Sequence, residues 1–225
     1  MRRYFNFLLS FAFSSTVSSL RTSMPRNLPP LILASKSATR QLILKEMGLS
    51  DFSCIPADID EKSIGDRLRD RPEELVLEIG RAKAAKVLAG LKKSKSEDGI
   101  ILAGDQVVVY DGMIREKPVD AAEAEAFIRS YSTLPCRTVG SCIVIDIATG
   151  RSAEGIDTTS TKFSSIPDEV ISQLVKEGDV LHCAGGLMTE HPLIQPYIES
   201  IEGSIDSVMG LSKALVQKLV SEVTQ

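Results

Sequence analysis

An α/β domain built on a mixed sheet is the fold class this sequence predicts, and three observations carry it. Short apolar, strand-like runs alternate along the chain with segments of helical spacing. Residues 139–147 and 155–163 flank a Thr149-Gly150 turn and read as an antiparallel pair in the middle of that alternation. The length, 225 residues at 43% apolar and 25% charged, fits one large domain or a two-lobed one.

The folded domain is expected over residues 28–225, with residues 1–27 a leader or flexible extension. No acid occurs before Glu46, and Met1-Arg2-Arg3 leads into an apolar run over 5–13 and then a Ser/Thr-rich stretch. That composition suits an organellar transit peptide; the apolar run equally suits a signal segment and is too short to span a bilayer. Met24 offers a second start. Cytoplasmic residence is expected, with a plastid or mitochondrion as the alternative through the leader.

Leu31-Ile-Leu-Ala34 reads as a buried strand, Ser35-Lys-Ser-Ala-Thr-Arg40 as a polar turn, and 41–47 as a helix ending at Gly48. A strand is expected over 52–57, leading into the acidic Asp58-Ile-Asp-Glu-Lys62. Pro72 opens a long helix to about residue 91, with Leu75, Ile79, Ala82, Val87 and Leu88 on or near its apolar side. Residues 92–98 read as a charged, solvated loop. The run Ile100-Ile-Leu-Ala-Gly-Asp-Gln-Val-Val-Val-Tyr110 reads as a strand with a carboxylate in its middle, closed by an Asp111-Gly112 hairpin. Helices follow over 121–131, from Pro167 to Gly178, and over 212–223. Ala184-Gly-Gly186 reads as a flexible loop near a site or a tight packing point, and 194–201 as a further strand.

The net charge of −4 argues against a nucleic-acid-binding surface. The four cysteines form no CxxC pair, and only two histidines are available, which leaves few ligands for a His/Cys zinc site. Asp105 stands out, because a buried carboxylate needs a metal, a lysine or a functional reason to be there. Lys117, just past the hairpin, can bring positive charge near it, and an acid and a lysine beside a metal suggest chemistry on phosphates. Ser35-Lys36-Ser37 and Arg40, between strand and helix, can cradle phosphate oxygens; the plainer reading makes Ser37 an N-cap. The acids Asp58, Asp60 and Glu61 read as a solvated loop unless they face a pocket. A lone helix lysine such as Lys83 is ordinarily a surface residue, and His191-Pro192 reads as a turn.

Taken in order, these segments resemble the Maf nucleotide pyrophosphatases. The resemblance rests on Leu31 to Arg40 with the following helix, Asp60-Glu61, Arg81-Ala-Lys-Ala84 and Ala103-Gly-Asp-Gln-Val-Val108. It continues through Lys117-Pro118, Ala184-Gly185, and Ile201-x-Gly203 to Val208-Met-Gly-Leu211. It implies a two-lobed α/β fold with a cleft, Maf/ITPase-like, that hydrolyses non-canonical or modified nucleoside triphosphates to NMP and pyrophosphate. By that resemblance Asp105, Lys83 and Lys117 are catalytic, Asp105 activating water directly or through Mg²⁺ or Mn²⁺ held with Glu61. Ser35, Arg40, Glu61, Gln106 and Glu190 would bind substrate. The implied partner is the nucleotide, not nucleic acid or membrane, and the resemblance admits a homodimer, although no isolated interface stripe marks one.

The chain departs from the pattern in places. Ala38-Thr39-Arg40 stands where Pro-Arg-Arg is usual, and Glu116 where glycine precedes the Lys-Pro pair, setting an extra negative charge beside Lys117. These departures favour the alternative of a catalytically weak nucleotide-binding or division-regulatory protein on the same fold. Glu190 stands where some members have glutamine and the 7-methyl-GTP-directed members have glutamate, which tilts the expectation toward a purine.

Overall fold

A computed structural model describes residues 28–94 and 98–225. The expected leader, residues 1–27, lies outside the described residues. Strands β1 (Leu31–Leu33), β2 (Phe52–Cys54) and β3 (Ile100–Ala103) pair in parallel in the order β2-β1-β3. The long β6 (Cys136–Asp146) follows antiparallel and pairs along its other edge with β7 (Ser152–Phe163), which in turn pairs with β8 (Ile198–Glu202). A hairpin of β4 (Gln106–Tyr110) and β5 (Met113–Arg115) completes the eight-stranded mixed sheet.

Strand alternation decides which helix covers which face. Leu31, Leu33, Ile100, Leu102 and Val144 pack with α1 (Ala38–Glu46) and α6 (Lys213–Thr224). The intervening Ile32, Ile101, Ala103 and Ile143 meet α2 (Pro72–Lys93) on the opposite face, and Val107, Val109 and Val139 extend that contact along the same helix. Val108 and Tyr110 instead join a second core with α3 (Ala121–Ser130), α4 (Asp168–Glu177) and the segment after it. One face is therefore covered by a single long helix. The other is divided between two helix pairs, and the polypeptide between β3 and β4 marks the division.

Three expectations are corrected. The run over 100–110 is not one strand. β3 and β4 pair successive stretches of β6, Ala103 opposite Ile143 and Gln106 opposite Gly140, and the ladder is interrupted at Gly104 and Asp105. α1 begins at Ala38 because the Ser37 hydroxyl accepts the Arg40 N–H at 3.3 Å, so the N-cap reading of Ser37 holds. The strand expected over 194–201 is Ile198–Glu202, preceded by a 3₁₀ turn at Gln195–Tyr197, where Pro196 has no N–H to give a ladder. Of the two readings of Ala184–Gly186, the tight packing point is the one found: a compact turn with both glycines buried. A Cβ on Gly185, at φ 62°, would lie 2.5 Å from the Tyr131 hydroxyl and 2.8 Å from Val108 Cβ.

Candidate active site

The break between β3 and β4 exists to accommodate a close approach. A side chain at Gly104 would overlap the Ser141 carbonyl oxygen of β6. Ser141 then holds the next residue from two sides. Its N–H donates to the Asp105 carbonyl at 2.8 Å, and its hydroxyl accepts the Asp105 N–H at 3.0 Å while donating to Val76 O of α2 at 2.6 Å. Asp105 is in step with Ala103 and Val107, so its carboxylate faces α2.

There it meets Lys83. The buried residues of α2 are Leu75, Val76, Ile79, Gly80, Lys83, Ala84 and Val87, a continuous stripe of helical period. Lys83 lies inside that stripe at 9% exposure, not on the surface, and Asp105 is 8% exposed. The ammonium donates to Asp105 Oδ1 at 2.7 Å and reaches Glu61 Oε1 at 3.0 Å. A buried ammonium between two carboxylates answers the desolvation problem that Asp105 posed, and the charge-assisted bond is short. Glu61 sits at the start of a 3₁₀ turn, Glu61–Ser63, capped by the Asp60 carboxylate; its own side chain is 46% exposed and open to solvent. Asp60 is thus a cap, and Asp58 is an exposed residue on the rim of a separate cavity of about 300 Å³ beside the outer turns of α2.

The residues expected to grip phosphate are employed differently. Arg40 donates through Nε to Gly210 O at 2.9 Å and through Nη1 to Gly104 O at 2.8 Å. Desolvation lowers its pKa, and the neighbouring Asp105 charge partly opposes that shift. Gln106 donates to Ser207 O at 2.7 Å and Val208 O at 3.2 Å. Both side chains pin the C-terminal segment, which holds α5 (Ile205–Val208), against the Asp105 break. The Ser35 hydroxyl accepts the Ser37 N–H at 3.1 Å at the entry to α1.

Lys117 and Glu190 form a second group. Lys117 is exposed between β5 and α3, and Glu190 is half-buried after the Gly185 turn. Burial pushes Glu190 up. Burial also pushes the Cys183 thiol up to about 12, with Glu190 and Asp179 adding to the shift and Lys117 opposing it, so these charges share one neighbourhood. Beside Glu190, His191 Nδ1 accepts the Leu193 N–H at 3.2 Å, which leaves Nε2 to donate to Glu177 at 3.0 Å and ties the segment to α4.

Three residues of this region carry roles that sequence reasoning missed. Ser141 is one. Arg115, on β5, is buried with its guanidinium 4.1, 4.5 and 5.1 Å from the ring centres of Tyr110, Phe127 and Tyr131, and it donates to Ser130 Oγ at 2.8 Å. That box stiffens the lobe bearing Lys117, and Tyr131 extends it by donating to Gly185 O at 2.7 Å. Arg67 is the third: its Nη2 lies 2.8 Å from Glu61 O and 3.0 Å from Glu116 Oε1, so the extra charge beside Lys117 is compensated.

The chain is similar in sequence to known proteins along most of its length. The family model described as Maf-like protein matches residues 30–223. A Dictyostelium discoideum protein named 7-methyl-GTP pyrophosphatase is 40% identical over 87% of this chain and 98% of its own length. A Salinispora tropica nucleoside triphosphate pyrophosphatase is 33% identical over 86% of this chain and 83% of its own length. A Clostridium tetani dTTP/UTP pyrophosphatase is 29% identical over 80% and 90% respectively.

Proposed function

This chain belongs to the Maf family, and from that premise we propose that it hydrolyses nucleoside triphosphates to NMP and pyrophosphate. The observation that carries the reading is the Lys83 ammonium held between Asp105 and Glu61 inside an otherwise apolar helix stripe. A fold spends burial on such a group where charge must be managed, and triphosphate hydrolysis demands that.

Water attacks the α-phosphorus, forming one P–O bond as the bond to the α,β-bridging oxygen breaks and pyrophosphate leaves. Asp105, fixed through its backbone by Ser141 and through its carboxylate by Lys83, takes the proton of that water. Lys83 and Lys117 supply positive charge toward the phosphates, and Ser35 with the α1 N-terminus offers further donors. Among the described residues no group of three or more His, Cys, Asp or Glu could hold a metal ion. Lys83 engages Asp105 Oδ1 and Glu61 Oε1, so Asp105 Oδ2 and Glu61 Oε2 are the hard oxygen donors that would hold Mg²⁺ or Mn²⁺, which accept one or two carboxylates and complete their shell with water and substrate phosphate. Such an ion, held by these two residues, would offset charge on the triphosphate.

The substrate we favour is a purine triphosphate, 7-methyl-GTP first. The Dictyostelium relative bears that name, and the Glu190 carboxyl lies in the second group with Lys117, where it can face a cationic base.

A panel of dTTP, UTP, ITP and 7-methyl-GTP, assayed for pyrophosphate with Mg²⁺ or Mn²⁺, tests the reading. Release is expected, stopped by a chelator, and reduced about 10²–10⁴-fold by Asp105→Asn, the usual worth of a general base. Turnover unaffected by that substitution would remove Asp105 from the mechanism, and tight binding without turnover would overturn the activity.

A further inference from the structure

The residues of the site fall into two groups: Asp105, Lys83 and Glu61 against α2, and Lys117 and Glu190 on the two segments that meet where the Gly185 N–H donates to Glu116 O. One residue touches both sides. The Glu116 carboxylate pairs with Arg67, whose guanidinium also donates to the carbonyls of Glu61, Lys62 and Ile64. The Glu116 backbone carbonyl accepts the Gly185 N–H at 2.8 Å, at the turn that leads to Glu190. Lys117 is the next residue in the chain.

We propose that Arg67 and Glu116 are positioning residues that strap the Glu61 turn to the Lys117 segment and so set the separation of the two groups; the proposal rests on the pyrophosphatase reading above. Both side chains are only partly shielded, 20% and 38% exposed, so the pair adds little to overall stability. Its geometry serves another end. A single Nη2 lies between the Glu61 carbonyl and the Glu116 carboxylate, so Arg67 fixes the backbone of one group by an anchor on the other. The Arg67 Nε is buried with no hydrogen-bond partner among the described residues, an arrangement that solvation of a loop arginine would not favour. Arg67 also cancels a carboxylate that would otherwise confront a triphosphate.

Each half of the strap has its own kinetic signature. Arg67→Gln frees the Glu61 turn and leaves the Glu116 charge bare. It should lower kcat and raise KM for the triphosphate, each by about tenfold, the scale of one uncompensated charge or a small misplacement. Glu116→Gln frees the turn but removes the charge, so kcat should fall about as far with KM unchanged or lower. The double substitution should restore KM to that of the unmutated protein and depress kcat no further than either single change.

Losses that multiply in the double variant, or KM moving alike in both single variants, would overturn the strap. Because a simple folding defect could imitate a loss of kcat, melting temperatures accompany the kinetics and should stay within a few degrees. Deuterium exchange over residues 58–67 gives a readout without turnover: Glu116→Gln should accelerate it, and unchanged exchange would also overturn the proposal. Failure of the unmutated protein to release pyrophosphate would sink the activity reading instead, leaving exchange to decide the strap.

Discussion

Burial raises the pKa of Glu190, with backbone hydrogen bonding and the nearby His191 opposing the shift. For a carboxyl group that direction has a fixed consequence. Below the unfolded-state value, about 4.3, both states are protonated and the side chain is neutral in the balance. Above it the unfolded chain ionises first while the native state holds its proton, so stability falls as pH rises through the window between the two values. Above the native value the loss is complete and constant. Glu190→Gln should therefore melt with the parent near pH 4 and above it at pH 7. The same change should cost activity on 7-methyl-GTP more than on dTTP, since a cationic base gains most from a carboxylate. A variant that is no more stable at pH 7 than at pH 4, relative to the parent, would refute the burial cost. Equal losses on both substrates would remove Glu190 from base selection.

Elements were legible where hydrophobic period and punctuation agreed. Pro72 and the apolar spacing placed α2, and Ser212, whose hydroxyl accepts the Leu215 N–H, marked the start of α6. Lys83 could have been placed from its spacing, four residues after Ile79 and four before Val87, but a lysine is discounted from apolar stripes by habit. The break at Gly104-Asp105 was not legible, because it arises from a contact 36 residues away in sequence, between Asp105 and Ser141. Arg67 was hidden for a related reason: a mixed-charge stretch looks solvated until its carbonyl and carboxylate partners are known. The Ser141 contact can be tested directly. Ser141→Ala leaves Val76 O and Asp105 N–H without their shared partner in a buried place. It should destabilise the protein by about 1–3 kcal/mol, the usual penalty for stranded buried groups, and should lower kcat by loosening Asp105. Denaturant unfolding with an unchanged m-value would attribute the loss to the native contact, whereas unaltered stability would mean that water satisfies both groups.

At the scale of the whole molecule, the two ends of the domain close over the middle. Arg40 near the start of the domain reaches Gly210 near its end and Gly104 at the break, while Lys213 of α6 pairs with Glu46 of α1 at 2.8 Å. α1 and α6 share one core against β1, β3 and β6, and Arg40 ties the C-terminal segment to Gly104, beside the Asp105 backbone that Ser141 holds. Two roles for Arg40 can now be separated. An arginine that serves only to hold phosphate contributes nothing to the stability of the nucleotide-free protein. One that bridges two carbonyls 106 residues apart in sequence does contribute. Arg40→Lys keeps the positive charge but loses the planar fork, so it can satisfy one carbonyl and not both. The nucleotide-free variant should lose about 1.5 kcal/mol, the value of one hydrogen bond involving a charged group. For a chain of this size that corresponds to roughly 3–6 °C in Tm. An unchanged Tm with a raised KM would return Arg40 to the phosphate-gripping role that its position in the sequence suggested. A lowered Tm with a fall in kcat, at a KM close to the parent, would establish that this arginine acts through the Gly104 and Gly210 carbonyls that it holds beside Asp105.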